Sequence, residues 1–331
     1  MKIVSISMIR NEADILEAFV RYHLQIVDHM IIINHRSVDA SGQILHGLLN
    51  EGLPIDVLNE TSHEQQQARL LTRMMKTALD VHHADWILPL DADEFVSVNK
   101  RGYVRDTIAQ LPNNVITKMP WRTYVPLPSD DPNEFNVIKR IRNRVEAEPL
   151  QWCKIVIPRF LAEKKNSMVS AGNHGFMRRV RGRWKEHPSQ VSEQLVVAHF
   201  PVRSAQQITT KAFAAWPAIL AKPNKEPTEG FHLKLLFDRF IKNDRIQPEE
   251  LASLAFHYVL GSPTIVNEPL RPDRENIQLR FSASYTADPL PILAQTAEDL
   301  AEALAAARRN EKGKGPLLGK IRQWFRARRV E

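Results

Sequence analysis

The stretch Trp86-Ile87-Leu88-Pro89-Leu90-Asp91-Ala92-Asp93-Glu94-Phe95 runs an apolar segment straight into three carboxylates, two of them separated by one residue. A short apolar run bounded by a polar turn reads as a buried strand. Desolvating adjacent like charges is expensive, so carboxylates crowded at the end of such a strand ask for a cation. Oxygen donors suit Mg²⁺ or Mn²⁺, which usually bind through one or two carboxylates together with substrate phosphates. An isolated Asp-x-Asp is common and is often only a solvated turn or a helix cap. The strand before it and the third acidic residue favour a site here.

Upstream, strand and helix patterns alternate. Lys2 to Ser7 is a β-branched run, followed by a helix pattern with Ile15, Leu16, Phe19, Val20 and Leu24 on one face and Asn11 as its expected N-cap. Met30 to Ile33 reads as a second strand that ends in Asn34-His35-Arg36-Ser37-Val38-Asp39. A helix carrying Ile44, Leu45, Leu48 and Leu49 follows, then a weaker strand over Pro54 to Leu58 and a long helix over His63 to Val81. Such alternation implies an α/β fold with a mostly parallel sheet covered on both faces, and ligands held beyond the carboxyl ends of its strands. The segments Ser7 to Asn11, Asn34 to Asp39 and Asp91 to Glu94 would then share one rim.

Downstream the alternation fades. Trp121 to Pro128, Arg140 to Arg144 and Trp152 to Pro158 read as strand and loop, and Arg178 to Lys185 is a basic stretch broken by Gly182. Helices are expected over Gln206 to Leu220, Phe231 to Ile241, Glu249 to Leu260 and Leu293 to Ala307. The chain carries a net charge of +7, but residues 308–331 hold nine Lys/Arg against two Asp/Glu, so the body before them is neutral. That disfavours nucleic acid as the partner of the main body and gives the tail an anionic partner instead. One cysteine, Cys153, excludes an intrachain disulfide. The apolar run at the N-terminus is too short for a secretory signal, and no apolar stretch approaches a bilayer span, so a cytoplasmic protein is expected.

Several segments, in order, resemble the family 2-type glycosyltransferases of the glycosyltransferase-A fold, in the branch with an Asp-x-Asp-Glu-Phe motif. They are Arg10-Asn11-Glu12, Arg36-Ser37-Val38-Asp39, Gln67-Ala68-Arg69, Asp91-Ala92-Asp93-Glu94-Phe95, Lys154-Ile-Val-Ile-Pro158, Gly172-Asn173-His174, and His199-Phe-Pro-Val-Arg203-Ser204 with Lys211. The resemblance covers about two thirds of the chain. It implies a nucleotide-sugar-binding half over 1–100 and an acceptor and catalytic half of the same domain over 101–204. A helical region over 205–307 and a basic tail over 308–331 complete the expected organisation.

The resemblance implies a divalent-metal-dependent, inverting transfer from a nucleotide-sugar donor to a glycan or lipid-linked acceptor in cell-surface polysaccharide synthesis. Asn11, Glu12, Asp39, Gln67, Arg69 and Asp91 would line the donor site, and Asp91, Asp93 and His199 would hold Mn²⁺ or Mg²⁺. Glu186, His174 and Glu94 are the candidates for catalytic acid–base work, with Asp130 and Asp131 as further carboxylates. Each has a plainer reading: a cap for Asn11 or Asp39, a solvated helix face for Gln67 and Arg69, a core histidine for His199. In the tail, Leu317, Ile321, Trp324 and Phe325 would share one face of a basic helix suited to an anionic membrane surface, which makes a peripheral location on the inner face of the membrane the expectation. A disordered basic terminus is the alternative. Two other functions use the same residues: a phosphatase or phosphoryl-transfer enzyme built on Asp91 and Asp93, and a nucleotide-binding module without catalysis.

Overall fold

β-Branched runs buried on both faces build the centre of the molecule. The computed structural model describes residues 1–61, 67–99, 102–150, 152–220, 231–242, 244–260, 263–273, 277–282 and 290–302. The first half reads β1 (Ile3–Ile9), α1 (Leu16–His23), β2 (His29–His35), α2 (Ser41–Asn50), β3 (Ile55–Glu60), α3 (Gln67–Asp80) and β4 (Trp86–Pro89). β4, β1, β2 and β3 lie side by side and parallel. Alternate residues serve opposite faces, as the pleat dictates. Ile3, Ile9, Met30 and Ile32 pack with Leu16, Phe19, Ile44 and Leu48 of α1 and α2. Val4, Ile6, Ile31 and Ile33 pack with Leu70, Leu71, Met74 and Met75 of α3. Each such side chain taken fully out of water contributes roughly 1.5–3 kcal/mol.

The chain then turns back through the sheet. β5 (Glu94–Val98), α4 (Val104–Ala109), β6 (Ile116–Val125), α5 (Val137–Arg140), β7 (Asn143–Val145) and β8 (Cys153–Pro158) follow in order. β8 inserts antiparallel between β4 and β6. After α6 (Arg159–Ala162), a separate antiparallel unit contains β9 (Ser167–Val169), β10 (Phe176–Val180) and β11 (Arg183–Glu186). The basic stretch expected around Gly182 is this β10–β11 hairpin. Arg181 and Gly182 both have positive φ, 49° and 80°, as a two-residue turn matched to strand twist requires. β12 (Ser189–Val191) pairs with β6, and β13 (Leu195–His199) pairs antiparallel with β5 and parallel with β6. The main sheet runs β14-β7-β6-β8-β4-β1-β2-β3, with β14 at Ile265–Asn267. The fold is therefore a mixed sheet with parallel central strands flanked by helices, the α/β class expected.

The helices α7 (Ala205–Leu220), α8 (Phe231–Ile241) and α9 (Leu251–Phe256) form a further cluster around Ile208, Trp216, Leu236 and Ala255. A helix over 290–302 docks at the carboxyl ends of β1 and β2, where Arg10 donates to Asp299 at 2.6 Å and Gln295 donates to the Arg36 carbonyl at 2.6 Å. Two local expectations are corrected. Asn11 does not cap α1: it sits at φ +57°, and the helix begins at Leu16 behind Ile15 with no side-chain cap. The helix expected over Glu249 to Leu260 is only α9, preceded by a 3₁₀ turn at Pro248–Glu250. The tail 308–331 and residues 62–66 lie outside the described residues. Among the described residues, no helix is long and apolar enough to cross a membrane.

Candidate active site

The carboxyl rim of the parallel strands is where β4 delivers its carboxylates. Past Pro89 the chain makes a tight turn: the Glu94 N–H donates to the Asp91 carbonyl at 3.2 Å, and the Asp91 N–H donates to Glu94 Oε2 at 3.1 Å. This turn sends Asp91 and Asp93 into different surroundings. Asp91 Oδ2 accepts from Lys154 Nζ at 2.6 Å, and its Oδ1 accepts from Asn173 Nδ2 at 3.1 Å and from Gln67 Nε2 at 3.5 Å. Lys154 comes from β8, is buried, and also lies 3.2 Å from Glu94 Oε2. Its third partner is the Gly172 carbonyl at 2.6 Å. Gly172 holds φ +74°, a conformation that glycine adopts without strain, and its N–H donates to Gln67 Oε1 at 2.9 Å.

Asp93 faces the other way, toward His199 Nε2 at 3.8 Å, Arg203 Nη1 at 3.8 Å and Lys211 Nζ at 3.5 Å. Burial alone would raise its carboxyl, but Lys211, His199, Arg203 and Lys154 outweigh burial and hold it well below the usual carboxylate range. His199 ends β13 directly opposite Glu94 on β5, so the strand register places the imidazole beside the acidic turn. Its ring stacks on Trp121 with centroids 3.9 Å apart, and burial lowers it to about 3. Burial pushes Glu94 up to about 8, with Asp91 and Asp93 adding to the effect and Lys154 opposing it. Arg203 binds Asp14 at 2.6 and 2.9 Å and Glu12 at 2.7 Å. Even so, burial raises Glu12 to about 7.

The residues present fit a divalent ion. Asp93, Glu94 and His199 are all buried, and each offers a ligand atom within 4.8 Å of the others. Glu94 Oε1 and His199 Nδ1 are buried with no hydrogen-bond partner among the described residues. Buried polar atoms are rarely left so, and a metal ligand is one state that satisfies them. Among the described residues, ion pairs link Glu12, Asp14, Asp91, Asp93 and Glu94 to Lys154, Arg203 and Lys211, with a neutral His199 beside Asp93. Full ionisation of the five carboxylates would leave the network two positive charges short, which a divalent ion would supply. Carboxylate oxygens with one imidazole form a donor set suited to Mn²⁺ or Mg²⁺. The set differs from the expected one in that Glu94 takes the place of Asp91, whose oxygens are engaged by Lys154 and Asn173.

A cavity of about 750 Å³ opens onto this cluster, and Asn11, Glu12, Gln67, Asp91, Asp93, Glu94, His174 and His199 all line it. Asn11 Oδ1 accepts from the Val38 N–H at 2.9 Å, while its buried Nδ2 has no partner among the described residues. His174 Nδ1 lies 2.9 Å from the Cys153 carbonyl, which fixes it as the protonated nitrogen in the neutral ring. Five expected residues lie outside the cavity lining. Asp39 accepts from the Ala13 N–H at 3.0 Å and the Ser41 N–H at 2.9 Å, joining the loop after β1 to the start of α2. Arg69 lines a neighbouring groove of about 920 Å³ with Arg73, Lys76 and Trp184. Glu186 is exposed on β11 and pairs with Lys118 at 2.8 Å. Asp130 accepts from the Leu127 N–H at 2.9 Å, and Asp131 from the Asn133 N–H at 2.9 Å; neither lines the cavity. Sequence reasoning assigned no role to Asp14, Lys154, Arg203 or Lys211. The signal available was the position of the last three within the matching segments.

No family model and no curated protein matches the chain. Among solved structures, it is similar to a mannosyltransferase from Pyrobaculum calidifontis in complex with GDP-Man and Mn²⁺, at 15% identity and a TM-score of 0.37 over 98% of this chain and 82% of that one. It is also similar to S. aureus TarS at 13% identity and a TM-score of 0.36, over 73% of this chain and 71% of that one. A third is glucosyl-3-phosphoglycerate synthase from Mycobacterium tuberculosis in complex with Mn²⁺, UDP and glucosyl-3-phosphoglycerate, at 14% identity and a TM-score of 0.27 over 37% and 44%. These likenesses are ones of shape and assign no activity to this chain.

Proposed function

We propose that this chain is a divalent-metal-dependent glycosyltransferase that takes a sugar from a nucleotide-sugar donor. The observation that carries the reading is the buried Asp93–Glu94–His199 group at the carboxyl rim of parallel strands, opening on a cavity large enough for such a donor. Mn²⁺ or Mg²⁺ held by these three side chains would stabilise the leaving diphosphate as a Lewis acid. Lys211, which lines the same cavity, adds a fixed positive charge where negative charge builds. Asn11 and Gln67 border the donor side, and the orphaned Asn11 amide is available to it.

For an inverting displacement the acceptor hydroxyl must lose its proton to a base in the cavity. His174 suits that role. Burial, with Lys154, keeps its ring below the ordinary value and so neutral near pH 7, and the bond to the Cys153 carbonyl leaves Nε2 as the accepting nitrogen. Inversion and an acceptor in cell-surface polysaccharide synthesis, a glycan or a lipid-linked hydroxyl, rest on the sequence resemblance.

The test is a thermal-shift panel of UDP-, GDP-, CMP- and dTDP-sugars with and without Mn²⁺, on wild type and Asp93→Asn. A ligand at a hundredfold excess over its Kd stabilises by about 2.7 kcal/mol. Metal-dependent stabilisation by one nucleotide class, lost in the variant, supports the reading. No response to any donor, with phosphate released from simple phosphomonoesters, replaces it with the phosphoryl-transfer alternative.

A further inference from the structure

A second cluster of metal-ligating side chains stands at the opposite edge of the parallel sheet. His29 opens β2, Asp56 is the second residue of β3, and His82 lies two residues past the end of α3. These are the amino ends of the strands, away from the rim that carries Asp93. His82 Nε2 lies 2.7 Å from Asp56 Oδ2, and His29 Nε2 lies 3.2 Å from Asp56 Oδ1. The two imidazoles stack with centroids 4.0 Å apart and planes 23° from parallel. Three ligand atoms, one from each residue, therefore fall within 4.8 Å of one another.

We propose that His29, Asp56 and His82 form a second divalent-metal site, one for an ion of the zinc class. Three observations carry it. The spacing suits an ion with bonds of about 2.0–2.2 Å, which sets neighbouring ligand atoms roughly 3.3 Å apart. His29 Nε2 is buried, and its contact with Asp56 Oδ1 at 3.2 Å falls short of good hydrogen-bond geometry, so the nitrogen is poorly satisfied for its burial. Two imidazole nitrogens and one carboxylate select Zn²⁺, Co²⁺ or Ni²⁺ over Mg²⁺, which prefers oxygen donors. The Asp56 side chain is 43% exposed, so water reaches the cluster and completes the coordination shell. An ion there ties β2, β3 and the turn after α3 together, which makes the site structural.

The experiment uses the full chain, stripped with a chelator and titrated with Co²⁺ alone. Bound cobalt is read by its visible d–d absorption and by ions per chain, and Zn²⁺ is then added in competition. Wild type, His82→Ala, Asp56→Asn and Asp93→Asn are compared, with metal-free melting temperatures to establish folding. The inference expects each of His82→Ala and Asp56→Asn to bind one ion fewer than wild type, and zinc to raise the melting temperature of wild type by about 5 °C at a hundredfold excess. If His82→Ala does not fold, Asp56→Asn decides. Equal binding by wild type and a folded variant, or no cobalt bound by wild type, overturns the site and leaves a plain His–Asp–His stack. The Asp93 site is scored separately: loss of an ion in Asp93→Asn concerns the donor-site metal alone.

Discussion

The Lys154 ammonium lies 2.6 Å from Oδ2 of Asp91, a residue 63 positions earlier, and joins the end of β4 to β8. Lys154 is among the largest fully buried side chains, so its charge is carried almost wholly by Asp91 and Glu94. Those two carboxylates hold the lysine charged against burial and raise its pKa above the ordinary value. The turn thus gives the two aspartates different partners, Lys154 and Asn173 for Asp91 and His199, Arg203 and Lys211 for Asp93, while both line the cavity.

Removing that ammonium leaves buried carboxylates uncompensated. Lys154→Met is expected to destabilise the fold by about 3–5 kcal/mol, the usual cost of breaking a buried ion pair from one side. Adding Asp91→Asn should restore part of the loss, with a coupling of roughly 0.5–3 kcal/mol. Urea unfolding of the two single variants and the double variant measures it. Additive losses would show that the contact contributes nothing as a pair.

The same turn shows how far the sequence could be read. The alternation of β1 to β4 with α1 to α3 was visible because short apolar runs, Ile3 to Ile6 and Met30 to Ile33, are followed by residues at helical spacing such as Ile15, Phe19, Ile44 and Leu48. The acidic rim followed from where β4 ends. What was not visible was which carboxylate stands beside which partner. In an extended strand Asp91 and Asp93 would point the same way, but the turn closed by the Glu94 N–H and the Asp91 carbonyl separates them. Glu94 joins His199 through the β5–β13 register, a pairing of residues about a hundred apart that no local pattern encodes. Asp39 shows the same limit: its place on the rim was legible, but not that the Ala13 and Ser41 N–H groups engage its oxygens.

Gly172 offers a test of His174 that leaves the histidine itself in place. A Cβ at Gly172 would lie 2.7 Å from His174 Cδ2 and 2.9 Å from its Nε2, on a backbone at φ +74°. Gly172→Ala should therefore cost about 1–2 kcal/mol of stability and push the imidazole off the Cys153 carbonyl. If His174 takes the acceptor proton, kcat for transfer should fall on the order of ten- to a hundredfold, while donor affinity changes little. A loss confined to donor affinity would assign Gly172 to the donor site and relieve His174 of the role.

His23 makes stability depend on pH in a predictable direction. Its ring is buried, Nδ1 lies 2.9 Å from the Phe19 carbonyl, and Nε2 accepts from the Val96 N–H at 3.3 Å, so only the neutral ring satisfies both contacts. Burial lowers its pKa from 6.5 to about 4. Between those values the unfolded chain binds a proton that the folded one refuses, so stability is full above 6.5 and falls as pH drops toward 4. The loss between pH 7.5 and pH 5 attributable to this group is roughly 2 kcal/mol. Urea unfolding at both values in wild type and His23→Gln isolates it, since the variant should lack that increment. An unchanged pH dependence in the variant would place the titration elsewhere.

Glu17 works in the same direction as His23, in a lower pH window, and anchors a distant segment. It is fully buried on α1, and its carboxylate accepts the N–H groups of Arg280, Phe281 and Ser282 at 2.7, 2.9 and 2.9 Å and the guanidinium of Arg21 at 2.9 Å. Burial would raise this carboxyl, but the three backbone donors and Arg21 prevail and hold it below the ordinary value. A depressed folded value means that the stabilisation is present above the unfolded pKa of 4.5 and is lost as pH falls through the folded one. Glu17→Ala leaves three backbone donors without their acceptor and should cost about 3 kcal/mol or more. It should also expose residues 277–282 to limited proteolysis while leaving α1 in place, because Phe19 and Val20 remain buried in the core around β1 and β2. Cleavage there in Glu17→Ala but not in wild type at neutral pH is the expected result. Equal protection in both would mean that Phe281 packing against Gly47, rather than the carboxylate, holds the segment down.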